Sequence, residues 1–436
     1  MCSGAQADFQ AALGEYRAGH YAAAQQQFLA LAELGDCSSQ FNLGAMALQG
    51  QGGTQDTGSG VGWLEAAVSN GCRALVGNKL QALSGKLSAE QQQQAAAILA
   101  RYGHDALQAQ GVINPELNCA NLTPPRELSL ARPEYPAGSS GDGLVIAVLT
   151  VGRDGHVRDP EILQALPSEA FAAKAIEAWL NSTYMPALRA GQPVTARVQT
   201  HVLFADSSTS KLGEAAVFKQ ARPAAQSGNA AAEYLLGLSS IADPALGIPS
   251  APGGQLLLAA AHDGDPQAQY WIGSQLRATA ECHPHADGRV WLQHAADGGS
   301  AAAQVTLAAD LLREGPAKAA EARLLLQKAA ASENYYVRKH LVALLAASPL
   351  DQVRDPATAL RIAKQLAAGD IQSDPQMFEV VAAAYAANGD YGNAVSAQRH
   401  AVQKAQALGW NPAALQGRLS AYHNDKPWQG DLFAVD

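Results

Sequence analysis

Over most of the chain, apolar residues recur three and four positions apart within short Ala-rich segments, several of which stop at a glycine. That is the period of amphipathic helices with one buried face. One pattern repeats. Gly35 is followed by Gln40-Phe41-Asn42-Leu43-Gly44, Gly228 by Glu233-Tyr234-Leu235-Leu236-Gly237, Gly264 by Gln269-Tyr270-Trp271-Ile272-Gly273, and Gly299 by Gln304-Val305-Thr306-Leu307-Ala308. An apolar segment precedes the glycine at Trp63 to Val68, Leu256 to Ala261 and Trp291 to Ala296. This predicts a helix ending at a glycine in the left-handed C-cap conformation, a short turn, and a next helix whose small residue lets an antiparallel neighbour approach closely. The glycines lie 36 residues apart from Gly35 to Gly71 and from Gly228 to Gly264, and 35 apart from Gly264 to Gly299. Such spacing is that of a helix-pair solenoid.

Between Leu128 and Phe204 the helical period stops. Pro124-Pro125 and Pro133 to Pro136 lead into a continuous apolar run at 144–151, and Arg153-Asp154-Gly155-His156 supplies a hairpin turn to a second strand, Val157 to Leu163. Ser168 is placed to cap a helix whose Phe171, Ala175 and Trp179 share one face. After Gly191-Gln192-Pro193, the residues Val194, Ala196, Val198, Thr200, Val202 and Phe204 alternate with Thr195, Arg197, Gln199 and His201. This predicts a strand with one buried face. The expected fold is mostly α: a solenoid of helix-pair repeats in two arms, interrupted by a small α+β domain with a three-stranded antiparallel sheet. The predicted divisions are 1–112 repeats, 113–127 linker, 128–205 α+β domain, 206–212 linker, 213–426 repeats and 427–436 tail.

The repeats resemble Sel-one-like repeats, relatives of tetratricopeptide repeats. The resemblance rests on small residues at fixed offsets, the loop Gly50-Gln51-Gly52-Gly53 and a closing Trp-Leu-x-x-Ala-Ala, with Tyr16 through Gly71 the best match. Near the C-terminus, Asp374-Pro375, the turn Asn388-Gly389, and Tyr391, Ala394 and Ala401 resemble a plain tetratricopeptide unit. The middle segment resembles the C-terminal domain of TonB, the energy transducer of Gram-negative outer-membrane transport. It does so in Tyr135-Pro136, Gly143, Asp154-Gly155 with Val157, Phe171, Ala175, Tyr184-x-Pro186-Ala187, Gly191-x-Pro193-Val194 and Phe204. That resemblance implies binding of an extended peptide, a segment of an outer-membrane receptor, by addition to a free sheet edge. The candidate contacts are Tyr135, Pro136, Val194, Ala196, Arg197, Val198, Gln199, Thr200, His201, Val202 and Phe204. The family's membrane anchor and Pro-rich spacer are not found in the chain, so the expectation is a binding scaffold. A specialised transducer or regulator of receptor uptake is the alternative.

Composition narrows the function classes. Charged residues make up 16% of the chain and the formal net charge is −9. No basic face for nucleic acid or anionic lipid is therefore expected. No run approaches a membrane span, and no signal peptide opens the chain. Cys2, directly after Met1, is similar to the lipid-bearing cysteine of a processed bacterial lipoprotein. The other four cysteines, Cys37, Cys72, Cys119 and Cys282, are candidates for two disulfides in an oxidising compartment, with three pairings open. Cys37 and Cys72 hold near-equivalent places in successive repeats, about 9–10 Å apart in a regular stack. A bond between them requires an irregular second repeat.

Chemistry-bearing motifs are few. Glu281-Cys282-His283-Pro284-His285 with Asp287 has metal-capable side chains but no second ligand pair, and reads as a solvated inter-helix loop. Ser208-Thr209-Ser210-Lys211 matches Ser-x-x-Lys without a Lys-Thr-Gly partner and reads as linker. Gly58-Ser59-Gly60-Val61-Gly62 follows no strand and reads as an inter-helix turn, and Gln91 to Gln94 as a solvated helix face. No catalytic residue, metal site or cofactor is expected. The predicted protein is a non-catalytic periplasmic or outer-membrane-anchored scaffold, whose arms bind a partner protein. An envelope hydrolase acting on cell-wall peptides or β-lactams is the alternative from another class.

Overall fold

The computed structural model describes residues 9–434 other than 78, 114, 116–118, 120, 140, 206–211, 247–252 and 281–287. Cys2, Cys282 with its neighbouring His and acidic residues, and Ser208 to Lys211 lie outside the described residues. The chain is mostly helical, and it forms two compact units. The first comprises Met1–Cys119, Val217–Leu238 and Ser250–Ser300; the second comprises Ala120–Ala216, Ser239–Pro249 and Ala301–Asp436.

In the first unit the recurring glycines take the predicted conformation. Gly35, Gly71, Gly228, Gly264 and Gly299 all have positive φ, from 80° to 108°. The amide of the following residue reaches four residues behind the glycine: Asp36 N bonds Leu31 O, Cys72 N bonds Ala67 O, Asp265 N bonds Ala260 O and Ser300 N bonds Ala295 O. These are Schellman caps, which satisfy carbonyls that the helix end leaves open. The motif glutamine adds to the same cap. Gln40 Nε2 donates to Ala32 O, and Gln269 Nε2 to Ala261 O, both at 3.0 Å. Phe28, Leu43 and Met46 fill the core between the first helices, Phe9–Arg17, Tyr21–Glu33 and Cys37–Gln49.

The glycine-rich segment at 58–62 is not a turn. It forms the first half of the helix Thr57–Ser69, capped by Asp56, whose carboxylate accepts from Ser59 N. A Cβ on Gly60 would lie 2.7 Å from Leu48 Cγ and 3.2 Å from Gly44 O, and one on Gly62 would lie 2.8 Å from Ala95 Cα. The glycines therefore let the helices Cys37–Gln49 and Ala89–Tyr102 press against this one from two sides. The second repeat is irregular after Gly71: Arg73–Val76 is a single turn, and Ala89–Tyr102 takes the packing place beside Thr57–Ser69. Cys72 is thereby held next to the start of Cys37–Gln49. Cys37 and Cys72 are disulfide-bonded with 5.6 Å between Cα atoms, so the irregularity that such a bond requires is present. Cys119 is also in a disulfide. Gln92 to Gln94 are exposed.

In the second unit the strand Gly143–Val151 is buried on both faces and runs antiparallel between Val157–Leu166 and Ala196–Phe204. The helix Ala170–Leu180 covers one face of this sheet with Phe171, Ala175 and Trp179. Its first turn is capped differently from the expectation: Glu169 is the N-cap, without a side-chain bond, and Ser168 contributes only its carbonyl, to Phe171 N. The predicted strand Val194 to Phe204 is broken at Thr195. Gln192–Val194 turns away to pair with Ala187–Arg189 in a second small sheet that includes Leu122–Thr123, while Arg126–Ser129 pairs with Thr183–Met185.

The C-terminal helices of this unit end in the same glycine caps, at Gly389 and Gly409. Pro356–Ala367 and Pro375–Ala387 each open on an Asp N-cap followed by proline. These helices are packed onto the sheet domain. Ile176 and Leu180, on the second face of Ala170–Leu180, share a core with Ala401, Val402, Ala405, Trp410 and Leu415.

Candidate peptide-binding edge of the sheet

A three-stranded sheet has two outer edges, and the packing of the second unit leaves them unequal. The edge strand Val157–Leu166 lies against the helix Tyr335–Ala347. Asp159, at φ +48°, turns its carboxylate toward that helix. Lys339, fully buried, lies 3.0 Å from Asp159 and 3.0 Å from Asp374, and His340 Nε2 lies 3.0 Å from Asp159. Tyr335 donates to Asp374 at 2.8 Å, and Gln376 accepts from both Lys339 and the Asp159 amide. Burial alone would drive the Asp159 carboxyl up and the Lys339 ammonium down. The opposite charges outweigh it, so Asp159 is held below and Lys339 above its ordinary value. This network closes one edge.

The other edge, Ala196–Phe204, has no strand paired on its outer side among the described residues. In an antiparallel ladder every second residue turns its N–H and C=O inward, so the remaining residues of this strand direct theirs outward. Along this strand Val198, Val202 and Phe204 pack on the helix-side core. Phe204 and Phe171 have ring centroids 4.9 Å apart, and Tyr135 stands 5.6 Å from Phe204 and 6.3 Å from Phe171, all edge to face. Tyr135 and the buried Pro136 are thus part of the core at the strand's end, which fixes the strand from within.

The candidate residues divide accordingly. Ala196, Arg197, Val198, Gln199, Thr200, His201, Val202 and Phe204 lie on the one edge strand; Tyr135 and Pro136 support it; Val194 belongs to the neighbouring hairpin. Arg197 is not a bare solvent-face charge, because it pairs across the sheet with Glu161, whose side chain is 3% exposed. Thr200 Oγ1 contacts Glu127 at 3.5 Å, which places an acidic side chain beside the middle of the edge. Residues 196–203 are all half-buried, so neither face of the strand is fully open. Alternation marked the strand but carried no sign of the Arg197 to Glu161 pair or of the Lys339 network, whose partners are far apart in sequence. Lys339 stands in the basic run Arg338-Lys339-His340, which reads as a solvated helix face and gives no sign that its middle residue is buried.

Among the described residues no group of three or more His, Cys, Asp or Glu is placed to hold a metal ion, and no helix is long and apolar enough to cross a membrane. No curated protein matches the chain. Residues 132–205, which span the sheet, its helix and the open edge, match the family described as the Gram-negative bacterial TonB protein C-terminal.

Proposed function

We propose that the chain is an envelope protein of a Gram-negative bacterium that binds partners without catalysis. In this reading the strand Ala196–Phe204 accepts an extended segment of an outer-membrane receptor as an additional antiparallel strand, and the Sel-one-like and tetratricopeptide-like repeats present a second partner surface. The observation that carries it is the inequality of the two sheet edges: one is closed by the Lys339 network, the other is unpaired within a TonB-type domain. Two further observations support an exported protein: the Cys37 to Cys72 bond and the disulfide at Cys119. Cys2 is the proposed point of lipid attachment.

The test is site-directed cross-linking in the full chain. Single cysteines are placed at positions 198 to 203, one at a time, which leaves the Arg197 to Glu161 pair intact, and combined with a receptor-derived peptide carrying one cysteine. Strand addition predicts that cross-linking efficiency alternates with a period of two residues along the strand. Uniform low efficiency, with peptide binding intact, would remove the edge from consideration and leave the repeats as the binding surface. Arg197→Glu is a poor probe, since it would set two carboxylates against each other at Glu161.

A further inference from the structure

The second unit holds a separate concave site. The hairpin turn at Arg153 and the C-terminal helices enclose a cleft of about 330 Å³. Its wall contains two donors that the fold leaves unused. Trp410 is 4% exposed and Arg418 5% exposed, and neither Trp410 Nε1 nor Arg418 Nε meets an acceptor among the described residues. Buried donors are rarely left in this state. The other nitrogens of Arg418 are engaged, one by Glu379 and one by the Asp431 carbonyl at 3.4 Å, so the side chain is fixed while its buried Nε–H has no acceptor among the described residues. Arg158 is likewise fixed, by two bonds to Asp154 at 2.6 and 2.7 Å, and its guanidinium lies 4.7 Å over the Trp410 ring. Arg153, exposed at the same cleft, has no ion pair among the described residues. Leu415, Leu432 and Phe433 supply an apolar wall.

We propose that this cleft binds the free C-terminal carboxylate of a peptide with an apolar last residue. The carboxylate oxygens accept from Trp410 Nε1 and Arg418 Nε, Arg153 adds charge, and the last side chain rests on Leu415, Leu432 and Phe433. A carboxylate suits the wall better than a phosphate, because Asp154 and Glu379 line the same cleft and oppose a dianion more strongly than a monoanion. The side-chain carboxylate of Asp or Glu shares the chemistry, but only a chain terminus joins its carboxylate to the same carbon as an apolar side chain.

The experiment follows the indole N–H resonances of the full chain by NMR, with Trp410 assigned through the signal lost in Trp410→Phe. The probes are acetyl-Gly-Ser-Ala-Leu as the free acid, the same peptide as its amide, acetyl-Gly-Ser-Ala-Glu as its amide, and inorganic phosphate. The expected result is a saturable shift of the Trp410 signal with the free acid and at least tenfold weaker binding of the Leu amide, since a charge-assisted bond is lost. Arg153→Gln, on the surface, is expected to weaken the free acid severalfold without changing the unfolding midpoint. Equal binding of the Leu amide or of phosphate overturns the assignment to a carboxylate. Equal binding of the Glu amide overturns the assignment to a chain terminus, and no shift of Trp410 at millimolar free acid overturns the site.

Discussion

Glu233 stands where the sister repeats carry Gln40 and Gln269, whose amide groups donate to the carbonyl three residues behind the glycine cap. At its own repeat that carbonyl belongs to Ala225, which already accepts from Gly228 N. A carboxylate cannot donate, and Glu233 Oε2 meets no donor among the described residues. Burial, with Asp263 adding repulsion, pushes the Glu233 carboxyl from the ordinary 4.5 up to about 7. The folded first unit therefore holds this proton more tightly than the unfolded chain. The stability so contributed is complete below pH 4.5 and is lost as pH rises to about 7. The full shift corresponds to roughly 3 kcal/mol; solvent screening at a site that is not fully enclosed reduces this to about 1–2 kcal/mol. Glu233→Gln keeps the shape, supplies the missing donor and removes the titration. Urea unfolding of both proteins at pH 5 and pH 8, reading the transition of the first unit, should show the variant more stable by about 1–2 kcal/mol at pH 8. The difference should shrink or vanish at pH 5. Equal stability at pH 8, or the same difference at both values, would refute the reasoning, because other titrating groups cancel between the two proteins.

Two further substitutions test the packing. Lys339→Met leaves Asp159 and Asp374 buried without their shared cation, so the second unit should lose about 3–5 kcal/mol in urea unfolding; a loss under about 1 kcal/mol would mean the network does not hold the closed edge. Gly60→Ala gains roughly 1 kcal/mol of helix propensity but drives a Cβ to 2.7 Å from Leu48, and overpacking at about 1–3 kcal/mol should win. Gly53→Ala, with open space around it, is the control and should change the midpoint little.

The parts of the fold legible in the sequence were those set by local chemistry. A glycine after an apolar helix segment announces its own cap, and Gly35, Gly71, Gly228, Gly264 and Gly299 all adopt it. The apolar run at 144–151 likewise announces a strand, which the structure buries on both faces. Contacts between distant segments left no such mark. Gly58, Gly60 and Gly62 looked like a turn because the residues that require them, Leu48 and Ala95, lie on other helices. Cys37 and Cys72 became partners only because the repeat after Gly71 collapses to one turn. At the candidate edge, alternation located the strand but not its break at Thr195, where the chain trades one sheet for another while the pattern continues. The cleft at Trp410 joins a hairpin and helices more than 200 residues apart, and no motif spans that distance.

The joining of the sheet domain to the C-terminal helices also decides how strand addition is to be examined. In an independent module, removing residues 128–205 would subtract one binding surface and leave the rest intact. Here the same deletion removes Ile176 and Leu180 from a core shared with Ala401, Val402 and Trp410, and takes Asp159 away from Lys339. Exposed apolar surface at about 25 cal/mol per Å² and a half-neutralised buried cation both act on the remaining helices. Loss of binding after such a deletion would follow from their unfolding as readily as from loss of the edge. The edge strand must therefore be altered in place, on outward backbone positions, with Phe204, Tyr135 and the Lys339 network untouched. Under that restriction a change in peptide binding reports on the ladder alone.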